Sequence, residues 1–171
     1  ALENAHLVTP AAAVVTAGIL ERFTRAEIGI KWVNDLFCRG KKISGILTEA
    51  VVREGKPAGI IVGTGINFAT PPELLPAEVA GSLREDLLPV AAAMVREMRD
   101  TLPELVRSRS FLPEYRRRSI LLGRPVRVLP VGQEPYEATA ESIDEEAALV
   151  VDCQGRKIRL QTGEVSIRVF E

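Results

Sequence analysis

Lys31-Trp32-Val33-Asn34-Asp35-Leu36-Phe37-Cys38-Arg39-Gly40-Lys41-Lys42-Ile43-Ser44-Gly45-Ile46-Leu47-Thr48-Glu49 reads as two strands around a tight turn, with ionisable residues set where a strand core takes Val or Ile. Such groups are costly to bury unless they are paired or bound to something. If Arg39-Gly40 is a two-residue turn, with Gly40 supplying a positive φ, Phe37 falls opposite Lys42, Leu36 opposite Ile43 and Asp35 opposite Ser44. Period-two alternation then gives Asp35, Phe37, Lys42 and Ser44 one face and makes Asp35 and Lys42 diagonal neighbours. A longer turn would shift the register by a residue and separate them. Two readings stand at this point: a solvent-facing ion pair of little energetic weight, or a ligand site.

Working outward, Thr9-Pro10 reads as an N-cap followed by proline at the first helical position, and Ala11, Val14, Val15, Ile19, Leu20 and Phe23 recur at helical spacing. A strand is expected from Ile28 to Trp32. Beyond the hairpin, Ala58 to Ile66 reads as a third, fully buried strand ending in glycines. Thr70 to Pro76 is a proline-rich surface loop. Leu87 to Leu102 is a second helix, with Val90, Ala93, Met94 and Met98 facing the core and Pro103 ending or kinking it. Phe111 to Ser119 is a short basic helix leading to a boundary near Leu122-Gly123. After that the pattern changes to short alternating runs, Val126–Val131, Tyr136–Ile143, Ala148–Cys153, Lys157–Gln161 and Ser166–Phe170, which imply a small β-barrel. The expected organisation is α+β: a domain over 1–122 with a mixed sheet flanked by helices, then a β-barrel domain over 123–171.

The 171 residues are enough for that arrangement, and a net charge of -1 argues against nucleic acid or an acidic membrane as the main partner. Cys38 and Cys153 are far apart with no CxxC pair, which points to neither a disulfide framework nor a zinc site and fits a reducing cytoplasm. No apolar run approaches the roughly 18 residues of a bilayer span, and the start lacks the form of a signal peptide. The chain lacks an initiating Met and enters a helical pattern at once, so it reads as a fragment or a processed chain. The one histidine, His6, reads as an incidental surface residue, which leaves no Ser/His/Asp triad to assemble. Gly63-Thr64-Gly65 is neither a P-loop nor a dinucleotide fingerprint. What remains is a cationic hairpin and a strand end lined by glycines, where Gly45, Gly63 and Gly65 let a flat ligand approach the backbone and Asn67 offers a donor and an acceptor. Tight strand packing and an Asn at a turn are the alternatives.

Lys31-Trp32-Val33-Asn34-Asp35, then Lys41-Lys42-Ile43-Ser44-Gly45-Ile46-Leu47-Thr48-Glu49, then Val62-Gly63-Thr64-Gly65-Ile66-Asn67 resemble, in order, the KWPND, K(K/R)xxGILxE and GxGIN segments of biotin protein ligases. Gly163-Glu164-Val165-Ser166-Ile167-Arg168 is similar to the family's closing GEISLR segment. The resemblance implies a class II synthetase-like catalytic domain, incomplete at its N-terminus, followed by a small SH3-like barrel. It implies a cytoplasmic enzyme that uses ATP and Mg2+ to activate biotin as biotinyl-5'-AMP and passes it to a lysine of a biotin carboxyl carrier protein domain, part of a biotin-dependent carboxylase. Lys42 would neutralise the reacting carboxylate and phosphate, and Asp35 would assist, also as a candidate Mg2+ ligand. Lys42, Gly45, Gly63 and Gly65 would form the biotin wall, and Lys31, Asn34, Asp35, Asn67, Glu164 and Arg168 would serve the adenylate. Homodimerisation through sheet edges is a further implication, with neither membrane nor nucleic acid as a partner of this chain. Two departures stand out: Val33 replaces the family's proline, and the GRGRRGR loop that closes over the ligands does not occur, its place being upstream of Ala1. A non-catalytic biotin- or acyl-binding module and a lipoate or octanoyl ligase are the alternatives.

Overall fold

The first strands are short and apolar on one side only, and they form a sheet against a helix that is apolar nearly all round. In the computed structural model, which describes residues 2–71, 83, 86–161 and the backbone of 165–169, a 3-10 segment, Leu2–Leu7, leads into α1 (Val8–Thr24). The alanine-rich first half of α1 is buried together with Val15, Ile19 and Leu20, while Val14 and Phe23 are half-buried. Thr9 does not cap the helix. Leu7 holds that position without a side-chain bond, and Thr9 Oγ1 instead shares a 2.7 Å hydrogen bond with Thr48 Oγ1. Asn4–Thr24 is long and apolar enough to cross a membrane by length and composition, contrary to the sequence expectation; 61% of its apolar window is buried inside the protein, so core packing accounts for that composition.

β1 (Ile28–Lys31), β2 (Asp35–Cys38), β3 (Lys41–Arg53) and β4 (Lys56–Ile66) form a sheet in that order, every pair antiparallel. The expected mixed character is reduced to one parallel bridge outside the named strands, where Ile30 N donates to Arg118 O (2.7 Å) and Ile120 N to Ile30 O (3.0 Å). Ile28, Ile30, Leu36, Ile43 and Ile46 point to the core, each burial worth roughly 1.5–3 kcal/mol. β4 is not fully buried as expected. Only β3 pairs with it among the described residues, and Ile61 is largely exposed, so β4 behaves as an edge.

α2 (Leu87–Ser108) begins at Asp86, whose carboxylate accepts from Leu88 N at 3.2 Å. It runs past Pro103 without ending there, with Val90, Ala93 and Leu102 buried. α3 (Leu112–Arg117) delivers Arg118, which is buried against α1 and β1. Its guanidinium makes two bonds to Glu21, at 2.5 and 2.8 Å, and one to Ile28 O at 3.1 Å, while Glu21 also accepts from Ile28 N at 2.9 Å. This network ties three elements at one corner.

The second sheet comprises β5 (Pro125–Pro130), β6 (Tyr136–Ile143), β7 (Leu149–Cys153), β8 (Arg156–Leu160) and β9 (Val165–Val169), close to the expected spans. Its order is β8-β7-β6-β5-β9, so β8 and β9 are the two edges and the sheet is not a closed barrel. Alternation in the sequence specifies which face is buried, here Val126, Val128, Ala138, Ala140, Leu149 and Val151, but carries no information on whether the edges meet.

Candidate functional site

The turn at the centre of the hairpin forms as expected: Arg39 (φ 52°) and Gly40 (φ 76°) both take the positive φ of the two-residue turn that suits twisted strands. Cys38 pairs with Lys41 and Phe37 with Lys42, and then the register slips between Leu36 and Phe37, so that Leu36 faces Ser44 and Asp35 faces Gly45. Ile43 is the extra residue of a bulge. The expected pairs Leu36–Ile43 and Asp35–Ser44 therefore do not form, and Ser44, expected beside Asp35, is buried at 3% exposure on the core side. Its Oγ has no hydrogen-bond partner among the described residues.

The slip produces a row across the sheet. Lys31 pairs with Asp35, Asp35 with Gly45 and Gly45 with Gly65, one residue from each strand at one level, on the face away from α1. Lys42 reaches into this row: Nζ lies 2.6 Å from Asp35 Oδ1, with the two side chains 31% and 23% exposed. The pair stands over Gly45, where a Cβ would sit 3.4 Å from Asp35 Oδ1 and 3.6 Å from Lys42 Nζ. Gly63, two residues from Gly65 and opposite Leu47, extends the side-chain-free strip along the same face. Leu47, beside it, is mostly exposed. A lysine head group is thus held by one carboxylate over open backbone, with Lys31 from β1 at the other end of the row.

Asn34 is fixed from two sides, its O accepting from Ile46 N at 3.1 Å and its Nδ2 donating to Ile46 O at 2.8 Å. Asn67 closes the end of β4 by donating its backbone N–H to Ile43 O (2.8 Å), beside Lys42. Glu164 lies outside the described residues, as does the side chain of Arg168, whose backbone pairs with Arg127. As for a metal, no group of three His, Cys, Asp or Glu residues gathers among the described residues, and Asp35 is already engaged by Lys42. Mg2+ is ordinarily held by one or two carboxylates together with substrate phosphates and water, so Asp35 would suit it as a single protein ligand beside ATP.

The residues that set the loop before Asp35 carried little signal. The Trp32–Val33 peptide is cis. Tyr115, fully buried on α3, donates its hydroxyl to Val33 O at 2.9 Å, and burial pushes its pKa up, so it stays a donor. Trp32 Nε1 donates to Ala147 O at 2.9 Å, across to the second sheet. An indole and a phenol bonding to carbonyls more than 80 residues away leave no periodic trace in a sequence.

The family model described as the biotin/lipoate A/B protein ligase family matches residues 4–67. The chain is 32% identical over 153 residues to the biotin–[acetyl-CoA-carboxylase] ligase of Mycobacterium tuberculosis, covering 82% of this chain and 53% of that protein. It is 29% identical over 169 residues to the bifunctional ligase/repressor BirA of Escherichia coli, covering 92% of this chain and 52% of that protein. The chain thus spans about half the length of the curated relatives it matches. Among solved structures, the Aquifex aeolicus biotin protein ligase in complex with biotin and ATP has the same fold, with a TM-score of 0.81 at 22% identity over 98% of this chain and 73% of that one. The matched segment 4–67 contains the whole row from Lys31 to Gly65, and with the relatives on either side of it this chain is a member of the biotin protein ligase family.

Proposed function

We propose that the protein carrying this chain is an ATP-dependent biotin protein ligase, acting in the cytoplasm on a lysine of a biotin carboxyl carrier protein domain of a biotin-dependent carboxylase. In this reading residues 1–122 belong to the catalytic domain and 123–171 form a second, smaller domain, whose kinship with the family's SH3-like domain rests on the sequence resemblance. The observation that carries the proposal is Lys42 Nζ, held at 2.6 Å from Asp35 Oδ1 over the glycine strip.

In the first step a biotin carboxylate oxygen attacks the α-phosphorus of ATP. The bond to the β-phosphate bridge breaks, giving biotinyl-5'-AMP and pyrophosphate. Two unit anions about 4 Å apart repel by about 4 kcal/mol at an effective dielectric of ~20. An ammonium has three donors, and one spent on Asp35 leaves two for the carboxylate and the phosphate, so the same ion pair that orients Lys42 leaves it able to bridge them. Lys42, Gly45, Gly63 and Gly65 form the biotin side, and Lys31, Asn34, Asn67, Glu164 and Arg168 the adenylate side. In the second step the carrier lysine attacks the acyl carbon and AMP leaves, with Asp35 taking the amine's proton. Two copies of the chain would pair through sheet edges, β4 of the first sheet being one candidate.

The test uses the full parent protein with biotin, ATP, Mg2+ and an apo-carrier. A carrier mass increase of one biotinyl group is expected, and adenylate should accumulate when the carrier is left out. Neither product would overturn the proposal, and transfer of lipoate or octanoate in place of biotin would move the protein to that branch of the family.

A further inference from the structure

The turn between β6 and β7 is held more firmly than a surface turn requires. Asp144 Oδ1 accepts from Glu146 N and Ala148 N, both at 2.9 Å, and Oδ2 accepts from Arg159 Nε at 2.5 Å. Two backbone bonds close it, Asp144 N to Ala148 O at 3.0 Å and Ala147 N to Asp144 O at 3.1 Å, with Ala147 at φ 57°. Elements around the catalytic sheet then grip it from outside. Arg116 of α3 donates to Ile143 O (2.8 Å) and Glu145 (2.7 Å), Arg109 at the end of α2 to Glu145 O (3.1 Å) and to Glu146, and His6 pairs with Glu146 at 2.9 Å. The outcome is that the carbonyl of Ala147, a residue 4% exposed, accepts from the indole of Trp32, itself 7% exposed. Trp32 opens the segment Trp32-Val33-Asn34 that ends at Asp35, and Tyr115 holds Val33 from the side.

We propose that the β6–β7 turn of the second sheet is a brace for the candidate site: through Ala147 O on Trp32, it fixes the segment that delivers Asn34 and Asp35, making Trp32, Tyr115 and Asp144 positioning residues. The brace gives the second sheet a function in activation beyond any ligand contact of its own. Asp144 touches neither the row nor Lys42 and acts only through the turn. The segment has no internal ladder to hold it, and beside the Trp32 and Tyr115 bonds its fixed points among the described residues are the two Asn34–Ile46 bonds. Loss of one anchor should therefore loosen the other, and a small misplacement of reacting groups lowers a rate steeply.

The rate arm rests on the ligase reading, and a second readout does not. In the full parent protein, Trp32→Phe, Tyr115→Phe and Asp144→Ala are each expected to slow adenylate formation about tenfold, with KM for biotin unchanged. Trp32→Phe combined with Asp144→Ala should be no slower than about twentyfold, since both cut one path, whereas independent effects would multiply to about a hundredfold. Amide hydrogen exchange at Ile46, which donates to Asn34 O, should quicken at least fivefold in Trp32→Phe and Asp144→Ala while Val151 in the second sheet is unchanged. Multiplicative rates, or parental rates in the single variants, overturn the brace. If the parent forms no adenylate, the ligase reading fails alone, and parental exchange at Ile46 in Trp32→Phe then overturns the brace by itself. Should Trp32→Phe fold poorly, Asp144→Ala alone carries the exchange comparison, and parental exchange at Ile46 in that variant overturns the brace.

Discussion

Gly45 is where stability and binding are expected to move in opposite directions. It sits inside β3, where a glycine costs about 0.5–1 kcal/mol relative to alanine because the unfolded chain is freer. A Cβ there would meet Asp35 Oδ1 at 3.4 Å and Lys42 Cε and Nζ at 3.6 Å, ordinary contact distances, and nothing must shift to admit it. Gly45→Ala should therefore stabilise the parent protein by about 0.5–1 kcal/mol, read as a rise in the denaturation midpoint. The methyl group would occupy the floor beneath the Lys42–Asp35 pair, where a ligand in the glycine strip has to lie. Biotin affinity measured by calorimetry should fall about tenfold, or about 1.4 kcal/mol. Gly45→Val, whose branched side chain suits a strand but fills more of the strip, should bind more weakly still. Parental biotin affinity in Gly45→Val would refute the assignment of this strip to biotin, and a loss of stability in Gly45→Ala would show that the space beside the pair is not open.

Lys42→Met keeps the side-chain length and removes the charge; losing a partly exposed ion pair should cost at most about 1 kcal/mol of stability, while adenylate formation should fall about a thousandfold, as expected for about 4 kcal/mol of lost charge compensation. Near-parental turnover in a radiolabelled ATP–pyrophosphate exchange assay would refute its role. Arg118→Ala leaves Glu21 without its main partner in a buried corner and should destabilise by about 3 kcal/mol in urea titration. Ser44→Ala removes a buried hydroxyl that bonds to nothing among the described residues, so it should be neutral or stabilising by up to about 1 kcal/mol in the same titration. In acid, the Arg117 hydrogen bond holds Glu114 at about 2, and the Arg118 hydrogen bond holds Glu21 below its ordinary 4.5, so both pKa values are lower folded than unfolded. Their contribution is fully present above pH 4.5 and is lost as pH falls towards 2; a denaturation midpoint that stays flat across that window would contradict it.

Much of the architecture is legible because it follows from short-range rules. The five strands after Gly123 lie close to their alternating runs, and α1 follows its apolar spacing. Where the reading missed, a tertiary contact overrode a local rule. Thr9 has the chemistry of an N-cap, but as the second residue of a buried helix its hydroxyl finds Thr48 instead. Pro103, in the interior of α2, removes a backbone hydrogen bond, yet α2 continues because Leu102, Leu105 and Val106 pack against the core on either side of it. β4 reads as buried from its Ile-Ile-Val run, but burial also needs a neighbour on each side, and among the described residues only β3 pairs with it.

The site shows how far one residue matters. With regular alternation from the Arg39-Gly40 turn, Lys42, Ser44 and Ile46 would share the open face and Gly45 would turn to the core. That arrangement exposes Ile46 and puts a hydroxyl, not open backbone, beneath the lysine. Ile43 and Ile46 both need burial, and in a strand two residues three apart cannot face the same side unless an extra residue intervenes. That odd spacing was the available signal for the bulge. The slip keeps Lys42 on the open face, buries Ile43 and Ile46 together and turns Gly45 under Asp35, while Ser44 Oγ is left buried without a partner. One unmade hydrogen bond, costing about 1–3 kcal/mol, is set against the burial of a second isoleucine, worth roughly 1.5–3 kcal/mol. The two are of similar size, so packing alone does not strongly favour the bulge. What distinguishes the slipped register is its other consequence, the bare strip beneath Lys42, and a Ser44→Ala variant more stable than the parent yet undiminished in adenylate formation would mark the serine as dispensable and the glycine after it as the residue the bulge serves.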